Sequence, residues 1–311
     1  MKLSVIIPTY KRSAFLQNCL ISLANQLRLP DEIVIIIRPD DIESRNILNS
    51  FIANHQYLTI KVSYVDKPGV VIAENIGIEN SQGDILCFID DDATAEETWL
   101  KKIEYYYINY PKIGAVGGPV IPVIENNKMI EYTNKMMTIS WLGKRAGRST
   151  YVPLMPLKVD VLRGCNMSLR RTSFDKFDEN LKGYWGFEDE SCLQVRRNGF
   201  DILLDPDIQV YHFVAPITAE YTRGNDRTAI ICANHNNTYI SLKHFSPIRS
   251  LLFLFFTFIW GDSHYPGILR YIKLILINKD ISISKQLIWA IKGKFEGIIT
   301  LLKVLSYNGK I

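Results

Sequence analysis

Ile85-Leu86-Cys87-Phe88-Ile89-Asp90-Asp91-Asp92 runs five consecutive apolar residues into three consecutive carboxylates. An apolar stretch of this length, with Gly83-Asp84 before it and acids after it, reads as a central parallel strand buried on both faces. In open α/β sheets, ligands bind at the carboxyl ends of such strands. Like charges crowded together cost free energy unless a cation neutralises them. Hard oxygen donors with no nearby Cys or His favour magnesium or manganese over zinc. The competing reading is a solvated acidic turn that caps a helix over Glu96–Tyr107.

Working outward, Leu3-Ser4-Val5-Ile6-Ile7 is a first β-rich run, ended abruptly by Pro8-Thr9-Tyr10-Lys11-Arg12. Ser13 suits an N-cap for a helix that carries Phe15, Leu16, Leu20 and Leu23 on one face. Ile33–Ile37, Ile60–Val65 and Ile85–Ile89 read as further strands, with helical patterns over Ile42–His55 and Val71–Asn80 between them. Alternation of β and α over the first ~110 residues predicts a parallel sheet covered on both faces. Strand ends then converge on one edge, which gathers Thr9, Arg38, Asp40 and Asp90 to Asp92 around a nucleotide-sized crevice.

These residues resemble the family 2 glycosyltransferases. Ser4-Val5-Ile6-Ile7-Pro8-Thr9-Tyr10-Lys11-Arg12 is similar to their opening strand. Ala73-Glu74-Asn75-Ile76-Gly77-Ile78, then Gly83-Asp84-Ile85 and Phe88-Ile89-Asp90-Asp91-Asp92, resembles their approach to an acidic metal-binding motif. Arg163-Gly164-Cys165-Asn166-Met167-Ser168 resembles the Gly-x-Asn element near the donor sugar, and Gly186-Phe187-Glu188-Asp189-Glu190 the segment with the catalytic base. The four elements occur in the family's order over 1–213. The resemblance implies the GT-A fold, an α/β architecture with a mostly parallel central sheet and helices on both faces. It also implies inverting transfer of a sugar from a nucleoside-diphosphate sugar to a hydroxyl, with Mn2+ or Mg2+ as cofactor, in cell-surface glycan synthesis.

On the same resemblance, Asp189 is the base and Glu188 positions the acceptor. Asp92 is the main metal ligand, Asp90 lies near the ribose and metal, and His212 can complete the metal site. Pro8, Thr9, Tyr10, Arg12, Arg38, Asp40, Asn75, Asp90, Asp91, Gly164, Asn166 and Trp185 fall to the donor. Three departures stand out: Lys11 where the family often has Asn, Glu74 where it has Arg, and Arg38-Pro39-Asp40-Asp41 in place of an acidic turn.

The residues themselves leave alternatives open. Glu188-Asp189-Glu190 also suits the first turn of a helix read over Ser191–Asn198 and capped by Gly199. Trp185 fits a sugar platform or a core, and His212, after the strand-like Ile208-Gln209-Val210-Tyr211, fits a structural role as well as a ligand. Arg223 and Arg227 fit a solvated loop or one closing over a diphosphate, and 143–148 a basic loop that meets a phosphate-bearing acceptor.

The 311 residues, 47% of them hydrophobic, can bury one catalytic domain plus an appendage. Division at 240 is expected, with 1–240 catalytic and 241–311 a basic, apolar helical region. Five scattered cysteines with no Cys-x-x-Cys pair read as small core residues in a reducing compartment. A first strand entered by Leu3 leaves no room for a signal peptide or N-terminal anchor, so a cytoplasmic protein is expected.

The net charge of +4 conceals an asymmetry: from Ser241 onward, ten Lys or Arg against three Asp or Glu give +7, leaving −3 on the first 240 residues. Leu251–Trp260 is apolar all round but short of the ~20 residues needed to cross a bilayer. With Arg270–Ile277 and Leu287–Leu305 it suggests helices lying peripherally on an anionic membrane face, or else packed on the sheet. Nucleic acid is not an expected partner, since the basic residues alternate with aliphatics.

Two other functions remain. Asp90-x-Asp92-x-Thr94 matches the nucleophile motif of haloacid-dehalogenase-like phosphatases, although three strands precede it and no later Gly-Asp-x-x-x-Asp follows. The substitutions at Lys11, Arg38 and Glu74 also allow a non-catalytic nucleotide-sugar-binding membrane module.

Overall fold

A computed structural model of the chain describes every residue except 125–126, 129, 133–136, 148–150, 184, 214–225, 262–264, 279–282, 308 and 310–311. Its contacts divide it into two units. One comprises Met1–Thr138, Gly147–Phe177 and Ser191–Pro216, the other Ile139–Ala146, Asp178–Glu190 and Ile217–Ile311. Arg223 lies outside the described residues; Arg227 is exposed.

The expected alternation is present. It runs β1 (Leu3–Thr9), α1 (Ser13–Ala24), β2 (Glu32–Ile37), α2 (Ile42–Asn54), β3 (Ile60–Tyr64), α3 (Val70–Asn80) and β4 (Ile85–Phe88). Next come β5 (Ala93–Ala95), α4 (Trp99–Asn109), β6 (Ile113–Gly117), β7 (Val120–Ile124) and β8 (Asn127–Lys128). Short strands follow at β9 (Glu131–Tyr132), β10 (Thr138–Ile139), β11 (Arg145–Ala146), β12 (Tyr151–Val152) and β13 (Leu157–Lys158). Then come β14 (Met167–Arg170), α5 (Phe187–Arg197), β15 (Asp201–Leu204) and β16 (Val210–Phe213).

Eight strands of the first unit form one sheet in the order β13-β15-β6-β14-β4-β1-β2-β3. β1 is parallel to β2 and β4, and β2 to β3, whereas β14 enters antiparallel between β4 and β6. A smaller sheet has the order β5-β16-β7-β8. β2 and β4 are buried along their whole length, as their unbroken apolar runs require.

Leu3, Val5 and Ile7 share a core with Ile33, Ile35 and Ile37, covered by Leu16 and Leu20 of α1, Leu48 of α2 and Trp99 of α4. Ile6 and Ile36 point the other way, against Gly77 of α3. Helices therefore cover both faces. Each fully buried aliphatic side chain contributes about 1.5–3 kcal/mol, and that core can carry a costly acidic turn at its edge.

Several boundaries differ from expectation, and three of them bear on the site. Ser13 is the first helical residue of α1 and not its cap; Arg12 holds the cap position and makes no side-chain capping bond, its guanidinium being turned to the acids described below. α4 begins at Trp99, three residues beyond the expected Glu96. α5 begins at Phe187, four residues before the expected start, so Glu188, Asp189 and Glu190 form its first turn. Acids there and Arg196 and Arg197 in the last turn both favour the helix dipole, and Gly199 follows at φ 85° as expected of a C-terminal cap.

The second unit is built on α6 (Asp226–His244), α7 (Pro247–Ile259), α8 (Ile268–Asn278) and α9 (Ile283–Tyr307). α6 and α9 approach closely because α9 carries Gly293 and Gly297. A Cβ on either would stand 2.4 Å from the carbonyl oxygen of Ile231 or 2.5 Å from that of His235. Buried Lys294 donates to the Thr257 carbonyl at 2.7 Å, tying α9 to α7. Among the described residues, no helix is long and apolar enough to cross a membrane.

Candidate active site

The acidic triplet lies where the chain leaves β4 of the large sheet and enters β5 of the small one. Strand register then decides its neighbours. His212 of β16 pairs with Ala93, and the Phe213 N–H donates to the Asp92 carbonyl at 2.8 Å. This places His212 Nε2 3.1 Å from Asp92 Oδ1 and 3.9 Å from Asp90 Oδ2. Met167 of β14 pairs with Phe88 of β4, which brings the preceding Gly164-Cys165-Asn166 turn beside Asp90. One ligand atom from each of Asp90, Cys165 and His212 falls within 4.8 Å of the others.

The expectation of no nearby Cys or His is therefore corrected, because two strands distant in sequence flank the triplet. Cys165 is nevertheless a poor donor for a hard cation. Burial, with the charge of Asp90, pushes its thiol well above the usual value, so it stays protonated. Two carboxylates and an imidazole remain, a set that suits magnesium or manganese completed by phosphate oxygens.

Charge crowding is evident in the acids. The Asp90 side chain is 41% exposed, yet desolvation by the protein around it and the charge of Asp92 push its carboxyl up to about 6. Asp91 is buried and pushed up to about 7, although Arg12 and Thr9 oppose the shift. Burial alone would lower His212, but the hydrogen bond and charge of Asp92 outweigh it and raise the imidazole. A divalent ion would relieve this repulsion.

Arg12 is a counter-charge to the acids. Its guanidinium lies 3.0 Å from both Asp91 Oδ1 and Asp92 Oδ2, and the Thr9 hydroxyl donates to Asp91 Oδ2 at 2.7 Å. Asp91 is thus turned into the scaffold under Thr9 and Arg12. Tyr10, Arg38 and Asp40 gather beside it. The Arg38 guanidinium lies 4.4 Å from the Tyr10 ring centre, and the Tyr10 hydroxyl donates to Asp40 at 2.9 Å. Pro8 is in β1, paired with Ile36.

Lys11 adopts φ 52°, the left-handed region, while its backbone N–H donates to Asp41. That conformation favours Asn over Lys, which gives the departure at this position a physical cost.

Two expected donor residues serve the scaffold. The buried Asn166 side chain accepts from Trp99 Nε1 at 2.9 Å and donates to the carbonyls of Pro119 and Ile208 at 3.1 and 2.7 Å. It thereby anchors the approaches to β7 and β16, while Gly164 shares its turn. Asn75 is buried and exchanges hydrogen bonds with the Phe177 backbone at 2.9 and 3.0 Å.

In the second unit, Asp189 accepts from Arg145, whose guanidinium also reaches Asn237. Glu190, one residue on, is fully buried between Lys243 at 2.7 Å and His244 at 3.1 Å. Lys243 also meets Asp178 at 2.6 Å. This network fixes the first turn of α5 and leaves Asp189 on a partly open side. Glu188 shares that turn, and Trp185 is exposed while its carbonyl accepts from Asn236. The basic stretch 143–148 is ordered at Arg145 by this pairing, a contact that only folding reveals.

A sequence profile described as glycosyl transferase family 2 matches residues 4–177, more than half of the chain. The chain belongs to the family 2 glycosyltransferases. Among curated relatives, a glucosyl-dolichyl phosphate glucuronosyltransferase of Haloferax volcanii is 30% identical over 124 residues, 39% of each chain. A probable glycosyltransferase YdaM of Bacillus subtilis is 24% identical over 83% of this chain and 62% of its own length. This family 2 glycosyltransferase thus spans less than two thirds of those relatives. Among solved structures, S. aureus TarS 1–349 in complex with UDP-GlcNAc aligns with a TM-score of 0.61 at 14% identity, covering 100% of this chain and 93% of that one. The Pyrobaculum calidifontis mannosyltransferase PcManGT, in complex with GDP-Man and Mn2+, aligns with a TM-score of 0.56 at 11% identity, over 96% and 87%. Both likenesses establish the GT-A fold for this family 2 chain.

Proposed function

We propose that this chain is an inverting glycosyltransferase that moves a sugar from a nucleoside-diphosphate sugar to a hydroxyl of a glycan or lipid-linked acceptor. The observation that carries the reading is the crowded Asp90–Asp91–Asp92 turn with His212 beside it, at the end of β4 of a family 2 domain. Asp92, Asp90 and His212 would hold Mn2+ or Mg2+, which when bound stabilises the charge of the departing diphosphate. Solved neighbours of this fold, one with GDP-Man and Mn2+ and one with UDP-GlcNAc, support that donor class.

Tyr10 and Arg38 offer a flat, cationic wall for the base, with Asp40 orienting both. Arg12, paired with Asp91 and Asp92, would swing from the acids toward phosphate oxygens as the donor arrives. Asp189 would take the acceptor hydroxyl's proton as its oxygen bonds to the anomeric carbon and the bond to the diphosphate breaks. Glu188 would position that acceptor, Trp185 supply a sugar-stacking face, and Gly164, Asn75 and Asn166 keep the donor pocket in shape. A boundary at 240 would part the catalytic residues from the basic, apolar helical region, although the contacts put Asp189 and Glu188 in the second unit and α6 runs through 240.

Relatives named for dolichyl phosphate acceptors support a lipid-linked substrate. The product would join a cell-surface polysaccharide or related glycoconjugate, made at the cytoplasmic face of a membrane that the C-terminal region touches peripherally. Family membership removes the ground for the phosphatase reading. A screen of nucleotide sugars with polyprenyl-phosphate-linked acceptors and Mn2+ tests the proposal. Transfer from one donor, lost in Asp92→Asn, is the expected result. Donor binding with no transfer to any acceptor would favour the non-catalytic module.

A further inference from the structure

The helices of the second unit turn apolar side chains to water in a regular pattern. On α7, Ile248 (73% exposed), Leu251 (69%), Leu252 and Phe255 (65%) recur at the spacing of one helical face, while Phe253 and Thr257 on the other face are buried. On α8, Ile268, Leu269, Ile272, Leu276 (75%) and Ile277 do the same. On α9, Ile288, Phe295, Ile299 and Leu302 form a third stripe. Water-soluble helices place such stripes inward. Contiguous apolar surface of this kind marks an interaction site.

The charge beside the stripes identifies the partner. α7 and α8 contain no Asp or Glu, and exposed Lys273, Lys285, Lys292 and Lys303 lie on α8 and α9. Glu296, the acid of α9, is held by Lys182. A second copy of the chain would bring lysine against lysine, whereas an anionic bilayer meets both the apolar and the cationic surface. Trp260, exposed at the end of α7, has the amphipathic ring favoured at the headgroup level. α7, at 13 residues, is about 20 Å long, suited to lie in the interface and too short to cross it.

We infer that the exposed face of the α7–α8 hairpin, extended by the stripe of α9, is the surface on which this chain docks to an anionic lipid bilayer. The inference rests on the peripheral membrane contact proposed above and not on the sugar-transfer chemistry. It has a geometric consequence inside the second unit. The reverse side of α7 holds the 140–145 hairpin: Arg249 donates to the carbonyls of Ser140 and Trp141 at 3.0 and 2.9 Å, and Gly143 rests on Phe253. Arg145 at the end of that hairpin grips Asp189. Docking through α7 therefore brings Arg145, a ready phosphate partner, and Asp189 close to headgroup level, where a lipid-phosphate acceptor presents its hydroxyl.

The test is co-sedimentation of the full chain with vesicles of phosphatidylcholine, with and without phosphatidylglycerol, alongside transfer to a soluble and to a vesicle-embedded acceptor. Strong binding to phosphatidylglycerol vesicles that weakens with salt is expected. Leu251→Glu/Phe255→Glu should lower partitioning on the order of tenfold or more with an unchanged melting temperature, both sites being exposed. Lys273→Glu should weaken binding about fivefold and only on anionic vesicles, and Lys101→Glu on α4 of the first unit should change nothing. The stripe variant should lose transfer to the embedded acceptor and keep transfer to the soluble one.

Undiminished binding by the stripe variant would overturn the assigned face while membrane contact stood. No binding to either vesicle by the parent chain would overturn docking altogether. A parent chain that dimerises through the stripe in size-exclusion chromatography, and ceases to in the variant, would assign the face to a second copy and overturn the lipid. None of these results touches the sugar-transfer reading, which transfer to the soluble acceptor reports separately.

Discussion

At the turn after β4, charge is packed tightly over an apolar floor; on α7 and α8, apolar side chains face water with charge beside them. The two regions invert the usual arrangement of a soluble protein for different reasons. The turn depends on positions: Asp92 meets His212 because β16 pairs with β5 in one register, and a one-residue slip would reverse every side chain. The helices depend on composition, since any apolar stripe flanked by lysines can serve an interface. The first should be intolerant of single substitutions and the second tolerant of conservative ones.

The sharpest way to break that contrast is Asp189→Asn, which should lower kcat by about 10²- to 10⁴-fold with donor affinity retained, read by initial rates and calorimetric titration. His212→Ala should raise the Mn2+ concentration needed for half-maximal activity by on the order of 10- to 100-fold, and activity lost to a chelator should return on adding Mn2+. An effect no larger than that of Ile272→Val on α8 would erase the distinction.

Asn166→Ala takes the side-chain amide away from the Trp99 N–H and the Ile208 carbonyl and leaves the Pro119 carbonyl with the Val210 N–H, at about 3 kcal/mol in urea denaturation. Asp178 gives a pH limb: burial alone would raise its carboxyl, but the hydrogen bond and charge of Lys243 hold it below the usual range. Its contribution is therefore full above the ordinary carboxylate range and is lost as pH falls through its folded value. Asp178→Asn should flatten the acid limb of a melting-temperature profile. Lys11→Asn, the smallest change, should stabilise the fold by about 0.5–1 kcal/mol by easing the left-handed backbone.

Much of the first unit was legible because its signals are local. The run Ile85–Ile89 becomes β4 and the triplet behind it, and the alternation from Leu3 to Asn80 becomes β1 to α3. What escaped is non-local. Cys165 and His212 reach Asp90 only through the pairings of β14 and β16, 75 and more residues downstream. Arg145 meets Asp189 across 44 residues. The roles of Asn75 and Asn166 were hidden for the same reason, since an amide bonded to a distant backbone looks in sequence like one free for a ligand. One missed signal was available: Gly293-x-x-x-Gly297 in an apolar helix marks a close helix pairing.

The stretch from Asp90 to Asp92 is a backbone seam that passes directly from β4 in one ladder to β5 in the other. Whatever seats itself on that seam clamps two hydrogen-bonded lattices together. Arrival of the donor should then slow amide exchange in β1 and β4 and in β7 and β16 in concert, so that the backbone itself registers occupancy like a strain gauge.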